Sequence, residues 1–148
     1  MNLKRAAQIA ASGMAAQRLR LNLISSNLAN AHTTRTEEGG PYKRKDAIFM
    51  PTAMENESSS FDFGNIMQEA HDDLTRGVKV VKIQETADYK LMYDPYHPDS
   101  SEEGYVQMPN INVVEEMVDL LSTSRSYEAS VQAMRAMKTM AEEALKIG

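Results

Sequence analysis

Polar and apolar positions fall into three regimes along this chain. Over residues 2–31, Leu3, Ala7, Ala10, Met14, Gln17, Leu21, Ile24, Leu28 and Ala31 recur at alternating spacings of four and three. That is the heptad seam of a helix, with Gln17 as its one polar member. Asn2 can cap its start, and Asn30 with the Thr33-Thr34 pair marks its end. Such a helix is about 45 Å long. The stripe is thin, with Arg18, Arg20, Asn22 and Asn27 pointing elsewhere, so the helix needs a partner.

Residues 112–147 repeat the pattern. Val113, Met117, Leu120, Ser124, Tyr127, Val131, Met134, Lys138, Ala141 and Leu145 make a second four-three track. Val114, Leu121, Met137, Met140 and Ala144 add a further apolar flank. This face is broader than one partner requires. It fits either contact with more than one neighbour or an ordinary wide core-facing stripe. Asn112 is the expected N-cap, and Glu115 completes a capping box.

Between the helices the period changes. Gly39-Gly40-Pro41 is a turn, and Tyr42–Met50, Gly77–Glu85, Tyr89–Tyr93 and Tyr105–Met108 read as short strands bounded by proline and glycine. Residues 61–75 read as a short helix or a loop. The predicted fold is mainly α with a small β region. Two long terminal heptad helices, 1–31 and 112–148, pair antiparallel as a coiled coil. The segment 32–111 supplies short antiparallel strands, expected to form one small sheet, and loops.

Composition narrows what such a chain can do. The 148 residues suit one compact domain with protruding helices. Eleven methionines, six tyrosines and no tryptophan favour helix–helix packing over an aromatic β core. A net charge of −5 argues against nucleic acid as a partner. The charge is uneven: residues 1–31 hold Lys4, Arg5, Arg18 and Arg20 and no acid, while 55–73 and 99–103 are acidic. Such polarity favours head-to-tail attraction between like subunits. With no cysteine, disulfides and thiolate metal sites are excluded, and the redox compartment stays open. No apolar run is long enough for a membrane span, and Gln8, Ser12, Gln17, Arg18 and Arg20 interrupt any signal-peptide core. The basic amphipathic start also resembles a transit peptide, but its pattern runs past any cleavage site.

Candidate chemistry is sparse. No glycine-rich phosphate loop or nucleophile elbow occurs. His32, His71 and His97 have no second histidine at ligand spacing and read as solvated loop residues. Glu102-Glu103, Glu115-Glu116 and Glu142-Glu143 are adjacent pairs, which read as solvated faces rather than catalytic dyads. Asn56-Glu57-Ser58 is a chance-level glycosylation sequon. No catalytic residue, metal ligand, cofactor or small-molecule substrate is expected. Packing seams outnumber reactive groups, as in an assembly subunit or an adaptor.

Two segments separate those readings. The stretch Ala11-Ser12-Gly13-Met14-Ala15-Ala16-Gln17, continuing to Ser26-Asn27-Leu28-Ala29-Asn30 and Thr33-Thr34, resembles the N-terminal signature of the flagellar rod and hook proteins. The stretch from Tyr93-Asp94-Pro95-Tyr96-His97-Pro98 through Pro109-Asn110-Ile111-Asn112 to Ser124-Arg125-Ser126-Tyr127-Glu128-Ala129 looks like the C-terminal half of the proximal rod members. The likeness covers about half the chain, and residues 55–76 look longer than the family requires.

The resemblance implies a structural subunit of the proximal rod, the periplasm-crossing drive shaft and export channel of the basal body. It further implies export without a cleaved signal peptide, transient contact with the export apparatus, and a coiled-coil inner layer of terminal helices. Partners implied are other rod proteins, copies of itself, the membrane ring with its rod-base adaptor, and the distal rod. From the seams, the expected assembly interface comprises Met14, Leu21, Ile24, Asn27, Leu28, Asn30, Met117, Leu120, Leu121, Tyr127, Val131 and Met134. Leu21, Ile24 and Leu28 are expected against Leu120, Tyr127, Val131 or Met134, within or between subunits. The rival is a soluble coiled-coil adaptor or a membrane-surface protein using the basic N-terminal face.

Overall fold

A computed structural model describes residues 3–53 and 76–147. Helix α1 (Leu3–Ala29) opens the described chain, strands β1 (Arg44–Ala53), β2 (Arg76–Thr86), β3 (Tyr89–Tyr93) and β4 (Tyr105–Pro109) follow, and helix α2 (Val113–Ile147) closes it. The readings at 61–75, His71 and Asn56 lie outside the described residues. The expected single sheet is instead two two-stranded sheets, β1 with β2 and β3 with β4. Two residues separate β2 from β3. Asp88 in that link accepts a backbone bond from Asn110 at 3.2 Å, just beyond the far end of β4.

Both helices follow the heptad pattern, each with a correction. On α1 the exposed positions are the expected seam residue Leu3 and, from Lys4 on at spacings of four and three, Lys4, Gln8, Ala11, Ala15, Arg18, Asn22, Ser25 and Ala29. The covered face is therefore wide rather than thin, and Asn27 lies inside it. On α2 the least exposed positions include Val113, Glu116, Leu120, Thr123, Tyr127, Ser130, Met134, Met137 and Ala141. Seven of the ten expected positions are covered, Ser124 and Val131 among them, while Met117, Lys138 and Leu145 are exposed. Beside two of these the covered position is one residue earlier, at Glu116 and Met137. Apolar periodicity could not place Glu116, a buried polar side chain. Asn112 caps α2 as expected, accepting the Val114 N–H on Oδ1 at 3.1 Å.

The chain divides into two compact units. One comprises Leu19–Ile48 and Lys82–Ser124. It holds most of the buried apolar side chains among the described residues: Ile24, Ala31, Ala47, Val106 and Ile111. Strands β3 and β4 form an antiparallel hairpin, with Leu91 opposite Gln107 and Tyr93 opposite Tyr105. Val106, 1% exposed, turns the inner face of the hairpin into this core. Gly104 closes the hairpin loop at φ +81°, where a Cβ would meet the Tyr93 ring at 3.0 Å and Pro95 at 3.3 Å. Only glycine fits both the backbone and the space.

The other unit comprises Met1–Arg18, Phe49–Val81 and Arg125–Gly148. Among its described residues, the buried apolar side chain is Ala16. Ser12 on α1 donates to the Ile9 carbonyl at 2.8 Å and accepts the Val78 N–H of β2 at 3.1 Å. Gln17 has a buried Oε1 with no hydrogen-bond partner.

Candidate assembly site

The C-terminal end of α1 carries a polar sequence, Ser26-Asn27 and Asn30 with Thr33, where a simple helix cap would suffice. Each of these residues has a defined partner. Asn30 Nδ2 donates to the Ser26 carbonyl at 2.9 Å, and Thr33 Oγ1 donates to Asn30 Oδ1 at 3.2 Å. The Thr33 N–H binds the Asn30 carbonyl at 3.1 Å, and the Tyr42 N–H binds the Thr33 carbonyl at 3.1 Å. These bonds satisfy the exposed end of the helix and turn the chain toward β1. Asn30 is thus a capping residue, which was one of its two expected roles.

Asn27, 1% exposed, does something different. Its Oδ1 accepts the Lys45 N–H at 2.9 Å and the Tyr42 hydroxyl at 3.2 Å. Its Nδ2 donates to the Lys45 carbonyl at 2.9 Å and to Glu116 Oε2 at 3.3 Å. The side-chain amide thus pairs with the backbone of β1 as another strand would. All its donors and acceptors are occupied, which also fixes the orientation of the amide. Because the Tyr42 proton goes to Asn27, the Ser26 hydroxyl at 3.0 Å from Tyr42 Oη is the donor in that pair.

Glu116 completes the network from α2. It is 2% exposed, which overturns its reading as part of a solvated acidic pair; Glu115 beside it is exposed. Its Oε1 accepts Arg44 Nε at 2.7 Å. Burial works against charge on Arg44, but the bond to Glu116 and the nearby Glu116, Asp46 and Asp119 carboxylates outweigh it and raise its pKa. A raised cationic pKa adds stability at every pH below the ordinary arginine value. That stability is lost only as pH climbs through the folded value, so Arg44 is a permanent cation here. Ser26, Asn27, Tyr42, Arg44, Lys45 and Glu116 therefore form one satisfied polar cluster linking α1, β1 and α2.

The remaining expected interface residues divide by exposure. Ile24 is buried, and Met14, Leu21, Leu28, Leu120, Tyr127, Val131 and Met134 are partly buried. Met117 and Leu121 are each 53% exposed. Sequence reasoning missed Tyr42, Arg44, Lys45 and Glu116. The one available signal was phase: Glu116 sits three residues after Val113 and four before Leu120, on the seam itself. His97 is not a purely solvated loop residue either, since its Nδ1 accepts the Asp99 N–H at 3.1 Å.

Nothing in this geometry pairs a nucleophile with a base. Among the described residues no group of three or more metal-ligating side chains converges, and no helix is long and apolar enough to cross a membrane. A recess of about 230 Å³ opens beside the cluster, lined by Arg44, Lys45, Asp46, Glu116 and Asp119 among others, and presents charges of both signs.

Residues 8–35 match the family described as flagella basal body rod protein. Residues 102–147 match the flagellar basal body rod FlgEFG protein C-terminal family. The first segment contains Asn27 and the second contains Glu116. The chain is 44% identical to the flagellar basal-body rod protein FlgC of Bacillus subtilis, over 95% of this chain and 94% of that protein. It is 41% identical to FlgC of Borreliella burgdorferi, over 99% and 98% respectively. With FlgC of Salmonella typhimurium the identity is 38%, over 95% and 93%. The adaptor and membrane-surface readings are not favoured by these matches. The chain belongs to the flagellar basal-body rod protein FlgC family and is a structural subunit of the basal-body rod, not an enzyme.

Proposed function

We propose that this subunit builds the proximal part of the rod, and that it does so through the outward apolar stripe at the start of α2. The carrying observation is that stripe. Val114, Met117, Val118 and Leu121 recur at three- and four-residue spacing, and Val114 and Val118 are 69% and 61% exposed. Apolar side chains in that array keep more than half of their surface in water and lose that contact on docking. The opposite face of the same helix segment holds Glu116 and Thr123 in the core. The stripe is thus held rigidly outward, as a surface for neighbouring rod subunits or further copies of the chain.

On this reading, Met117 and Leu121 act directly between subunits. Ile24, Leu28, Asn27 and Asn30 act by holding the α1 end that supports them. Met14, Leu21, Leu120, Tyr127, Val131 and Met134 complete the terminal-helix layer around the channel, where the two helices pack as a coiled coil. The partners are the distal rod, the membrane ring with its rod-base adaptor and, in transit, the export apparatus. The site of action is the periplasm, reached without a cleaved signal peptide.

Val118→Asp tests the proposal, because the position is exposed and leaves the core untouched. The variant should keep the wild-type circular dichroism spectrum yet leave cells without rod and filament in electron cryotomograms of the envelope. Rods of normal length and number would refute the role of the stripe.

A further inference from the structure

One buried polar atom of α1 lacks the partner that comparable atoms of the same helix have. Gln17 sits on the apolar seam between Met14 and Leu21, and its Oε1 is buried with no hydrogen-bond partner among the described residues. Three other covered polar side chains of α1 are treated differently. Ser12 donates to the Ile9 carbonyl and accepts the Val78 N–H. Ser26 bonds to Tyr42, and Asn27 has every donor and acceptor occupied. An unsatisfied buried acceptor has given up water without gaining a bond. The lone chain is therefore less stable with glutamine here than with an apolar side chain of the same length.

The surroundings of Gln17 indicate where a partner comes from. It belongs to the unit of Met1–Arg18, Phe49–Val81 and Arg125–Gly148, whose buried apolar side chain among the described residues is Ala16. The helices of that unit also leave Leu3, Met140 and Leu145 exposed. Helices with so little core are completed by what packs on them. A single polar residue in an apolar helix seam costs stability and fixes which helix pairs with it, and in which register. Only the correct partner brings a hydrogen-bonding group to that level.

We infer that Gln17 is a specificity-determining residue of rod assembly. Its Oε1 accepts a hydrogen bond from a side-chain N–H or O–H carried at the facing level by a helix of a neighbouring rod subunit. The inference rests on the reading of the terminal helices as the assembly layer. With a flexible side chain and little core around it, the glutamine can turn toward the incoming helix. A helix with an apolar residue at that level, or one docked in a shifted register, leaves the oxygen without a donor and is disfavoured. Stability withheld from the lone chain is recovered in the correct complex. An apolar residue at position 17 would give a more stable chain and a less selective one.

The test compares Gln17→Met, which keeps the length and removes the amide, with Gln17→Glu, which keeps an acceptor. In the purified full chain, Gln17→Met should raise the melting temperature by about 3 °C. In cells it should nonetheless cut the number of complete rods in electron cryotomograms about tenfold. Gln17→Glu should melt lower than Gln17→Met yet build more rods, because its oxygen still receives the donor. A purely structural role, or an oxygen that binds only water, predicts that rods follow melting temperature. Gln17→Met building rods as well as the wild type would therefore overturn the inference. A Gln17→Met chain melting below the wild type would overturn it too, since the oxygen would then already be satisfied. Normal rods with Gln17→Met beside rodless Val118→Asp cells would remove this inference and leave the rod reading intact.

Discussion

Asn27 holds Lys45 by both backbone groups at once, and that geometry sets what a substitution costs. Asn27→Ala strips a partner from the Lys45 N–H, the Lys45 carbonyl and a Glu116 carboxylate oxygen, while the Tyr42 hydroxyl keeps Ser26. Each unsatisfied group costs about 1–3 kcal/mol, so the variant should lose at least about 3 kcal/mol in urea unfolding. Asn27→Asp should be no better, since a carboxylate offers no hydrogen to the Lys45 carbonyl and faces Glu116. Arg44→Ala leaves the Glu116 carboxylate buried without its cation, at about 3 kcal/mol. Gly104→Ala must adopt a positive φ against Tyr93 and Pro95, at about 1–2 kcal/mol. A thermal shift of several degrees in each variant would check these values. None of the Asn27 chemistry is visible in one dimension. An asparagine off the apolar seam reads as solvent-facing, and its partners lie 18 and 89 residues away. Asn30 was legible because its partners, Ser26 and Thr33, are three and four residues away.

At the scale of elements, the helices announce themselves because a four-three apolar rhythm over thirty residues has no competing explanation. Their start signals are equally local: Asn112 caps α2, and Asn112→Ala should remove about 1 kcal/mol, seen as fraying of the first turn in amide exchange. The strands were also legible to within a few residues from β-branched and aromatic runs between proline and glycine. Their partners were not. Each strand could have joined one sheet or two, and bonds such as that from the Asn110 N–H to the Asp88 carbonyl join residues too far apart in sequence for a local pattern to show. Phase within α2 was legible at most positions and missed Glu116 for a related reason. Methionine, leucine and valine line several sides of the helix, so hydrophobicity alone left the buried side undetermined. The polar residues Glu116 and Thr123 reveal it, because burial of polar side chains needs partners that only the folded chain supplies.

For the whole molecule, the distribution of core is the main physical fact. Among the described residues, apolar burial concentrates in the unit holding Asn27 and Glu116, whereas the other unit contributes Ala16 and an unpartnered Gln17 oxygen. Stability within the lone subunit should follow that division. Amides of Leu19–Ile48 should exchange slowly, and those of Arg125–Ile147 should exchange fast until subunits associate. Equal protection throughout the isolated chain would contradict this. Ile24→Ala, at about 2–5 kcal/mol, falls in the well-packed unit and should lower the melting temperature of the lone subunit as well as assembly. Val118→Asp should spare the melting temperature and affect assembly alone. The contrast between these two variants separates folding from docking on a single chain.

The bond between Asn27 and Glu116 spans 89 residues of a 148-residue chain. Such a high contact order makes closure of the network a late kinetic event, since a large loop must be brought together before any of the bonds return free energy. A chain appearing N-terminus first can form the α1 helix early, yet it cannot lock until residue 116 is available. A fragment ending at residue 111 should therefore show no slow amides over Leu19–Ile48, however helical its circular dichroism. The buried glutamate works as a completion sensor, keeping a partial chain pliable and committing the full-length chain to its rigid form.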